Sequence, residues 1–175
     1  MNIGRLADDN IQRFGEYDFV YFDGQWHTNV AMNQNANRLG NALKKLGVKK
    51  GDRVGVQLLN CPELIQTFFA AFKIGATLVP INPSLKIPEL AYIYKDAGLT
   101  ALVSSPEYLA AIGAARKEAP ALTHVIFTGT EAAAQALSFN DICRPEPAEL
   151  AVADTDNDDT AVMIYTAGTT GSPKG

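Results

Sequence analysis

The residues best suited to chemistry crowd the run YTAGTTGSPKG, Tyr165 to Gly175, where glycines, threonines, a serine and a lysine follow one another. Gly168 and Gly171 admit positive φ and let the backbone approach a ligand closely. Successive backbone N–H groups in such a turn, that of Ala167 among them, form a concavity for an anion. The hydroxyls of Thr166, Thr169, Thr170 and Ser172 add donors, and Lys174 supplies a point charge suited to phosphate. A solvated linker is the plain alternative, and GTTG alone would be read that way. The apolar strand that precedes the run and the lysine that follows it favour an oligophosphate. A Walker-type loop fails: it needs four residues between its first glycine and a Gly-Lys pair, whereas two separate Gly168 from Gly171 and Pro173 precedes Lys174.

The elements that must position this loop follow from apolar periodicity. After a short first helix, YDFVYFDGQWHT predicts two strands about an Asp23-Gly24 turn. Thr28 or Asn29 then caps a helix with Met32, Ala36, Leu39, Leu43 and Leu46 on one face, ended at Gly47. Strands are predicted at Arg53–Leu59, Ala76–Ile81, Leu99–Ser104, Thr123–Thr128 and Thr160–Tyr165. Between them, Pro62 opens a helix with Ile65, Phe68, Phe69 and Phe72 as its core-facing stripe. Pro88 opens another with Leu90, Ile93, Tyr94 and Ala97 on one face, and Ser105-Pro106-Glu107 a third that reaches about Ala119. The AAAQA run, Ala132 to Ala136, is at most a helical turn. Ser138 to Asp159, with its prolines and aspartates, reads as loop. This alternation predicts an α/β layered sandwich with a mainly parallel sheet flanked by helices, whose ligands gather outside the carboxyl ends of the strands.

Composition narrows the function classes. The 175 residues suffice for a domain with a real core, and a 47% hydrophobic fraction excludes disorder. Fifteen Lys and Arg against nineteen Asp and Glu give a net charge of −4 with no basic cluster, which argues against nucleic-acid binding. The N-terminus lacks the apolar stretch of a signal peptide. The most apolar window, LIQTFFAAFKIGATLVPI, is broken by Gln66, Lys73 and Gly75, so no membrane span is expected. Cys61 and Cys143 lack metal-ligand spacing, and a reduced, cytoplasmic protein is the simpler reading. Cys61 at a helix start could have a lowered thiol pKa, but no partner base accompanies it and a packed cysteine is the better reading. His27 and His124 are read as structural. Asp154, Asp156, Asp158 and Asp159 lack the glycine and final glutamate of a calcium loop and read as a solvated connector.

The terminal run closely resembles the phosphate-binding signature of the adenylate-forming (AMP-binding) enzymes: acyl-CoA synthetases, firefly luciferase and nonribosomal-peptide adenylation domains. Their usual pattern is Tyr-Thr-Ser-Gly-Thr-Thr-Gly-x-Pro-Lys-Gly. The chain agrees at Tyr165, Thr166, Gly168 through Gly171 and Pro173 through Gly175, and departs at Ala167, where serine is usual. One lost hydrogen bond is worth about 0.5–1.5 kcal/mol, so the site should survive. Gly47 to Gly98 is similar to the N-terminal core of the acyl-CoA synthetase branch, with NPSLKIPEL matching its Asn-Pro, then Glu-Leu, pattern.

The resemblance implies an ATP-dependent acid–thiol ligase that uses ATP, Mg2+ and coenzyme A on a small-molecule carboxylic acid, a fatty or aryl acid before an amino acid and a fatty acid first. It places the nucleotide's phosphates at Thr166, Ala167, Gly168, Thr169, Thr170, Gly171 and Lys174. The family's later segments, which bind adenine and ribose, carry a glutamate for magnesium and supply a catalytic lysine, have no counterpart in residues 1–175. The expectation is therefore an N-terminal portion of an AMP-binding domain, truncated after its phosphate loop and lacking the small C-terminal domain. By itself it would be inactive, with no catalytic residue, no metal ligand and no firmly held cofactor. A stand-alone binding or interaction domain that keeps the fold is the second reading.

Overall fold

A computed structural model describes residues 2–129, 136–166 and 175. The loop residues Ala167, Gly168, Thr169, Thr170, Gly171 and Lys174, and all but the last residue of AAAQA, lie outside the described residues.

Helix α1 (Arg5–Phe14) leads into the hairpin β1 (Asp18–Phe22) and β2 (Gln25–Thr28), paired antiparallel. Its turn is the expected one: Asp23 at φ 46° and Gly24 at φ 78° give the two positive values of a tight hairpin turn. Helix α2 (Asn29–Lys45) starts where Thr28 Oγ1 accepts the Ala31 N–H at 3.1 Å. Strand β3 (Arg53–Gln57), helix α3 (Pro62–Lys73), strand β4 (Thr77–Pro80), helix α4 (Ile87–Asp96) and strand β5 (Leu99–Ser104) then alternate. Helix α5 (Leu109–Ala115), with a 3-10 turn at each end, leads to β6 (His124–Phe127), followed by β7 (Leu137–Ser138) and α6 (Phe139–Cys143).

The sheet is parallel throughout, in the order β4-β3-β5-β6-β7. Both faces are buried, as parallel strands require. Val54, Val56, Ala101, Val103 and Ile126 point to one core with Leu39 and Leu43 of α2, Ala70 and Ala71 of α3 and Phe139 of α6. Leu99, Leu102, Val125 and Phe127 point to the other with Leu90, Ile93 and Tyr94 of α4 and Ile112 of α5. The expected layered α/β sandwich is therefore observed.

Three expectations need correction. The stripe Ile65, Phe68, Phe69 and Phe72 is only half-buried, and the fully buried face of α3 is Gln66, Thr67, Ala70, Ala71 and Lys73. Helix α3 packs along α2 and against β3 and β4, so its tightest contacts take small or hydrogen-bonded side chains and its rings fill the flanks. Second, the segment from Ser138 is not all loop. Ser138 Oγ caps α6 by accepting the Asp141 N–H at 3.3 Å, and Phe139 and Cys143, one turn apart, bury against the core. The chain beyond it is strapped along α2. Asn37 Nδ2 donates to the Ala148 carbonyl at 2.7 Å, Asn41 Nδ2 to those of Pro147 and Glu149, and Lys45 pairs with buried Glu146 at 2.6 Å.

Third, Thr160–Tyr165 is not a full strand. Val162 alone forms a parallel bridge, to Leu78, through Leu78 N–H to the Ala161 carbonyl and Met163 N–H to the Leu78 carbonyl, both 2.9 Å. The next residue of β4 facing this edge is Pro80, which has no N–H to continue the ladder.

The most buried charge is Lys73, fully enclosed at the end of α3. Its Nζ donates at 2.8 Å to Asp8 Oδ1 of α1 and at 2.8 Å to Asn37 Oδ1 of α2. Asp8 also accepts from Asn33 Nδ2 at 2.9 Å, and its side chain is 38% exposed. The two partners therefore differ in what each leaves behind. Asp8→Ala strands an enclosed ammonium and should cost about 3–5 kcal/mol, whereas Lys73→Met releases a carboxylate that water reaches and should cost less. Equal losses in urea unfolding would contradict this asymmetry.

Candidate functional site

The site is built from the flanks of the Gly- and Thr-rich loop and from the α4 face of the sheet. Past the Val162 bridge, Met163 and Tyr165 leave the sheet edge and pack against the core beside α4 and α5. The Tyr165 hydroxyl donates to Asp96 Oδ2, on the last residue of α4, at 2.6 Å. Burial, and then this bond to Asp96, raise the Tyr165 phenol above its ordinary pKa. Thr166 follows, exposed.

On the far side of the loop, Gly175 returns to the same ring. A Cβ there would stand 2.7 Å from Tyr165 Cζ and 2.9 Å from Cε2, closer than real contacts allow. The residue before Thr166 and the residue after Lys174 are thus in contact. Of the predicted phosphate-site residues, only Thr166 falls among those described.

Helix α4 is a firm support. Its N-terminus is closed by Glu89 Oε2 accepting the Lys86 N–H at 2.9 Å, and its other end by Arg53, whose guanidinium donates to the Ala97 and Gly98 carbonyls at 2.7 and 2.9 Å. On its buried side the Tyr94 hydroxyl donates to Gln57 Oε1, and Ser104 Oγ donates to the Gln57 carbonyl at 2.8 Å. Gln57 and Ser104 end β3 and β5, the neighbours between which the chain reverses its order of winding, β4 lying to one side and β6 to the other. Crevices for ligands form at such switch points.

His27 lines a cleft between α2, α3 and α6 together with Arg38, Glu63, Gln66, Cys143 and Arg144. Burial pushes the Cys143 thiol up to about 12, away from any nucleophilic role. Cys61 is likewise pushed up to about 11 by burial, although it caps α3. The helix terminus does not overcome desolvation here.

Asp156 and Asp159 cap one another's backbone: Asp156 Oδ1 accepts the Asp158 and Asp159 N–H groups, and Asp159 Oδ2 accepts that of Asp156 at 2.9 Å. Lys50, 2.6 Å away, holds the Asp159 carboxyl below the ordinary carboxylate range. Among the described residues no three His, Cys, Asp or Glu side chains converge to hold a metal, and no helix is long and apolar enough to cross a membrane.

Two residues that matter were not found by sequence reasoning. Asp96 lies 69 positions from its partner, with nothing in the local pattern to connect them. Lys73 was read as a break in an apolar window. A lone lysine within a strongly apolar helix was the available signal for a buried partner.

A parallel sheet whose strand order reverses between β3 and β5, with helices on both faces, defines a doubly wound α/β domain. The comparisons say which kind. The sequence matches the AMP-binding enzyme family over residues 7–175, and the chain belongs to that family. It is 37% identical over 150 residues to crotonobetaine/carnitine–CoA ligases of Escherichia fergusonii and Escherichia coli, covering 83% of this chain and 29% of theirs. The chain thus spans less than a third of the length of these curated relatives. Among solved structures, an anthranilate–CoA ligase bound to anthranoyl-AMP superposes with TM-score 0.94 and 34% identity, covering 99% of this chain and 33% of that one. A Mycobacterium tuberculosis fatty acyl CoA synthetase gives 0.82 and 28%, covering 98% and 33%.

The thiol chemistry is directly measurable. A pKa of about 11 in place of 9.0 leaves Cys61 with roughly a hundredth of the ordinary thiolate near pH 8. Alkylation by iodoacetamide at pH 8 should therefore run at least about tenfold slower in the folded protein than in the urea-unfolded chain. Equal rates would show that Cys61 is not buried as described.

Proposed function

We propose that these residues are the N-terminal portion of an ATP-dependent acid–thiol ligase. In the intact enzyme a carboxylate oxygen attacks the α-phosphorus of ATP, the bond to pyrophosphate breaks, and an acyl-adenylate forms. The thiol of coenzyme A, giving up its proton, then attacks the acyl carbon, and AMP leaves. The single observation that carries this reading is the run from Tyr165 to Gly175 within a chain that matches the AMP-binding family to its last residue. The names of the relatives, each a CoA ligase or acyl CoA synthetase, support thioester formation as the second step.

In this reading the N–H groups of Ala167, Gly168 and Gly171, the hydroxyls of Thr166, Thr169 and Thr170, and the Lys174 ammonium hold the β- and γ-phosphates while the α-phosphorus is attacked. Catalysis of this kind is positioning and charge stabilisation rather than covalent work by the protein. The acid is a fatty acid by preference over an amino acid, and the enzyme works in the cytoplasm. Mg2+ bound to the triphosphate would neutralise phosphate charge. Its protein ligand lies in the later part of the enzyme.

Lys174→Ala in the intact ligase should lower kcat/KM for ATP about 10²-fold, the usual loss for one preorganised donor at developing charge, and leave the KM for the acid little changed. Unchanged ATP kinetics would remove the lysine from the site. A panel of fatty, aromatic and amino acids checks the acyl group: kcat/KM should be highest for a fatty acid, and an amino acid in first place would contradict the assignment.

A further inference from the structure

We propose that Tyr165 and Asp96 form a positioning pair that moors both flanks of the phosphate loop to the end of α4. The inference rests on the reading of that loop given above and assigns roles to two residues outside the loop's own donors. Three observations carry it. The first is the bond itself: the Tyr165 phenol donates to the Asp96 carboxylate at 2.6 Å, a charge-assisted contact at the surface. The second is the seat of Gly175, whose Cα lies so close to the same ring that a Cβ would fall 2.7, 2.9 and 3.0 Å from Cζ, Cε2 and Cε1. One side chain therefore touches the chain on both sides of the loop.

The third is the place of the carboxylate. Asp96 is the last residue of α4, where the helix carbonyls concentrate negative potential and an acid is unfavourable. Helix stability does not account for an aspartate there; a partner from another segment does. The support behind it is rigid, because Leu90, Ile93 and Tyr94 of α4 are fully buried and Arg53 closes the helix end.

Fixing both ends of a loop lowers the entropy that remains to be lost when its N–H groups and hydroxyls gather round a ligand. That contribution belongs to nucleotide binding rather than to the bond-making step. Tyr165→Phe keeps the ring and its packing and removes only the donor. Asp96→Asn keeps an acceptor oxygen and removes the charge. Gly175→Ala keeps both partners and pushes the returning chain off the ring.

Two readouts on the intact ligase test the pair. In steady-state kinetics, Tyr165→Phe should raise the KM for ATP about tenfold, the equivalent of one charge-assisted hydrogen bond, and Asp96→Asn by a smaller factor, since its amide oxygen still accepts. The KM for the acid and kcat should move far less. The double variant should be no worse than Tyr165→Phe by itself, since the donor of the shared interaction is then already gone. Gly175→Ala should raise the KM for ATP in the same selective way.

In amide hydrogen exchange, Thr166 and Gly175 should exchange faster in Tyr165→Phe, while β3 and β5 stay as protected as before. Unchanged exchange at these two amides would overturn the mooring. Faster exchange with KM values for ATP and acid rising together, or with additive losses in the double variant, would overturn the positioning role. If the wild-type ligase uses no ATP with any acid, the functional reading fails on its own control and the positioning role falls with it. Hydrogen exchange then still decides whether the mooring exists.

Discussion

The enclosed ammonium of Lys73 is the constraint around which the first half of the molecule is arranged. A fully buried lysine needs a compensating charge and partners for its remaining protons. Asp8 and Asn37 supply them from α1 and α2, so three helices meet at one atom. The main chain at this point is equally occupied. The Lys73 carbonyl accepts the Ala153 N–H at 2.7 Å, and Gly4 lies so near the Lys73 backbone that a Cβ would stand 2.7 Å from its nitrogen. Asn2, itself buried, donates from Nδ2 to the Ala153 carbonyl at 2.8 Å. The N-terminus, the end of α3 and the returning strap are thus fixed together.

The strap leads on to Tyr165. From Ala153 it turns through the mutually capped Asp156 and Asp159, and Thr77 Oγ1 then donates to the Thr160 carbonyl at 2.9 Å beside β4. Pro80 ends pairing after a single bridge, so the chain is free to leave the sheet edge. Tyr165 leaves it toward α4, where a ring, a carboxylate and a glycine meet. Pro80 has no N–H with which to continue the ladder beyond Leu78.

Much of this was legible in the sequence. The β-α alternation could be read because both-sided burial makes parallel strands continuous apolar runs, and because Pro and Gly mark the helix ends. The family could be read because its signature is one contiguous run, Tyr165 to Gly175. The α3 stripe misled because ring size is a poor guide when a helix is enclosed on most sides: Ala70 and Ala71 face the sheet, and Phe68 and Phe72 stack edge-to-face, 6.3 Å apart, at the flank. Helix α6 was missed because five residues are too few for periodicity to show. The Tyr165–Asp96 and Lys73–Asp8 contacts join segments 69 and 65 positions apart, and side-chain hydrogen bonds of that range leave no local pattern.

The central proposal is that this chain carries the phosphate-binding part of an acyl-adenylating ligase and does not turn over by itself. Its most direct test is carboxylate-dependent exchange of pyrophosphate into ATP, run side by side on the 175-residue chain and on the intact ligase with the same panel of acids. The account predicts exchange above the no-acid control in the intact enzyme and none in the chain by itself. Exchange catalysed by the chain and abolished by Lys174→Ala, or no exchange by the intact enzyme with any acid, would contradict it.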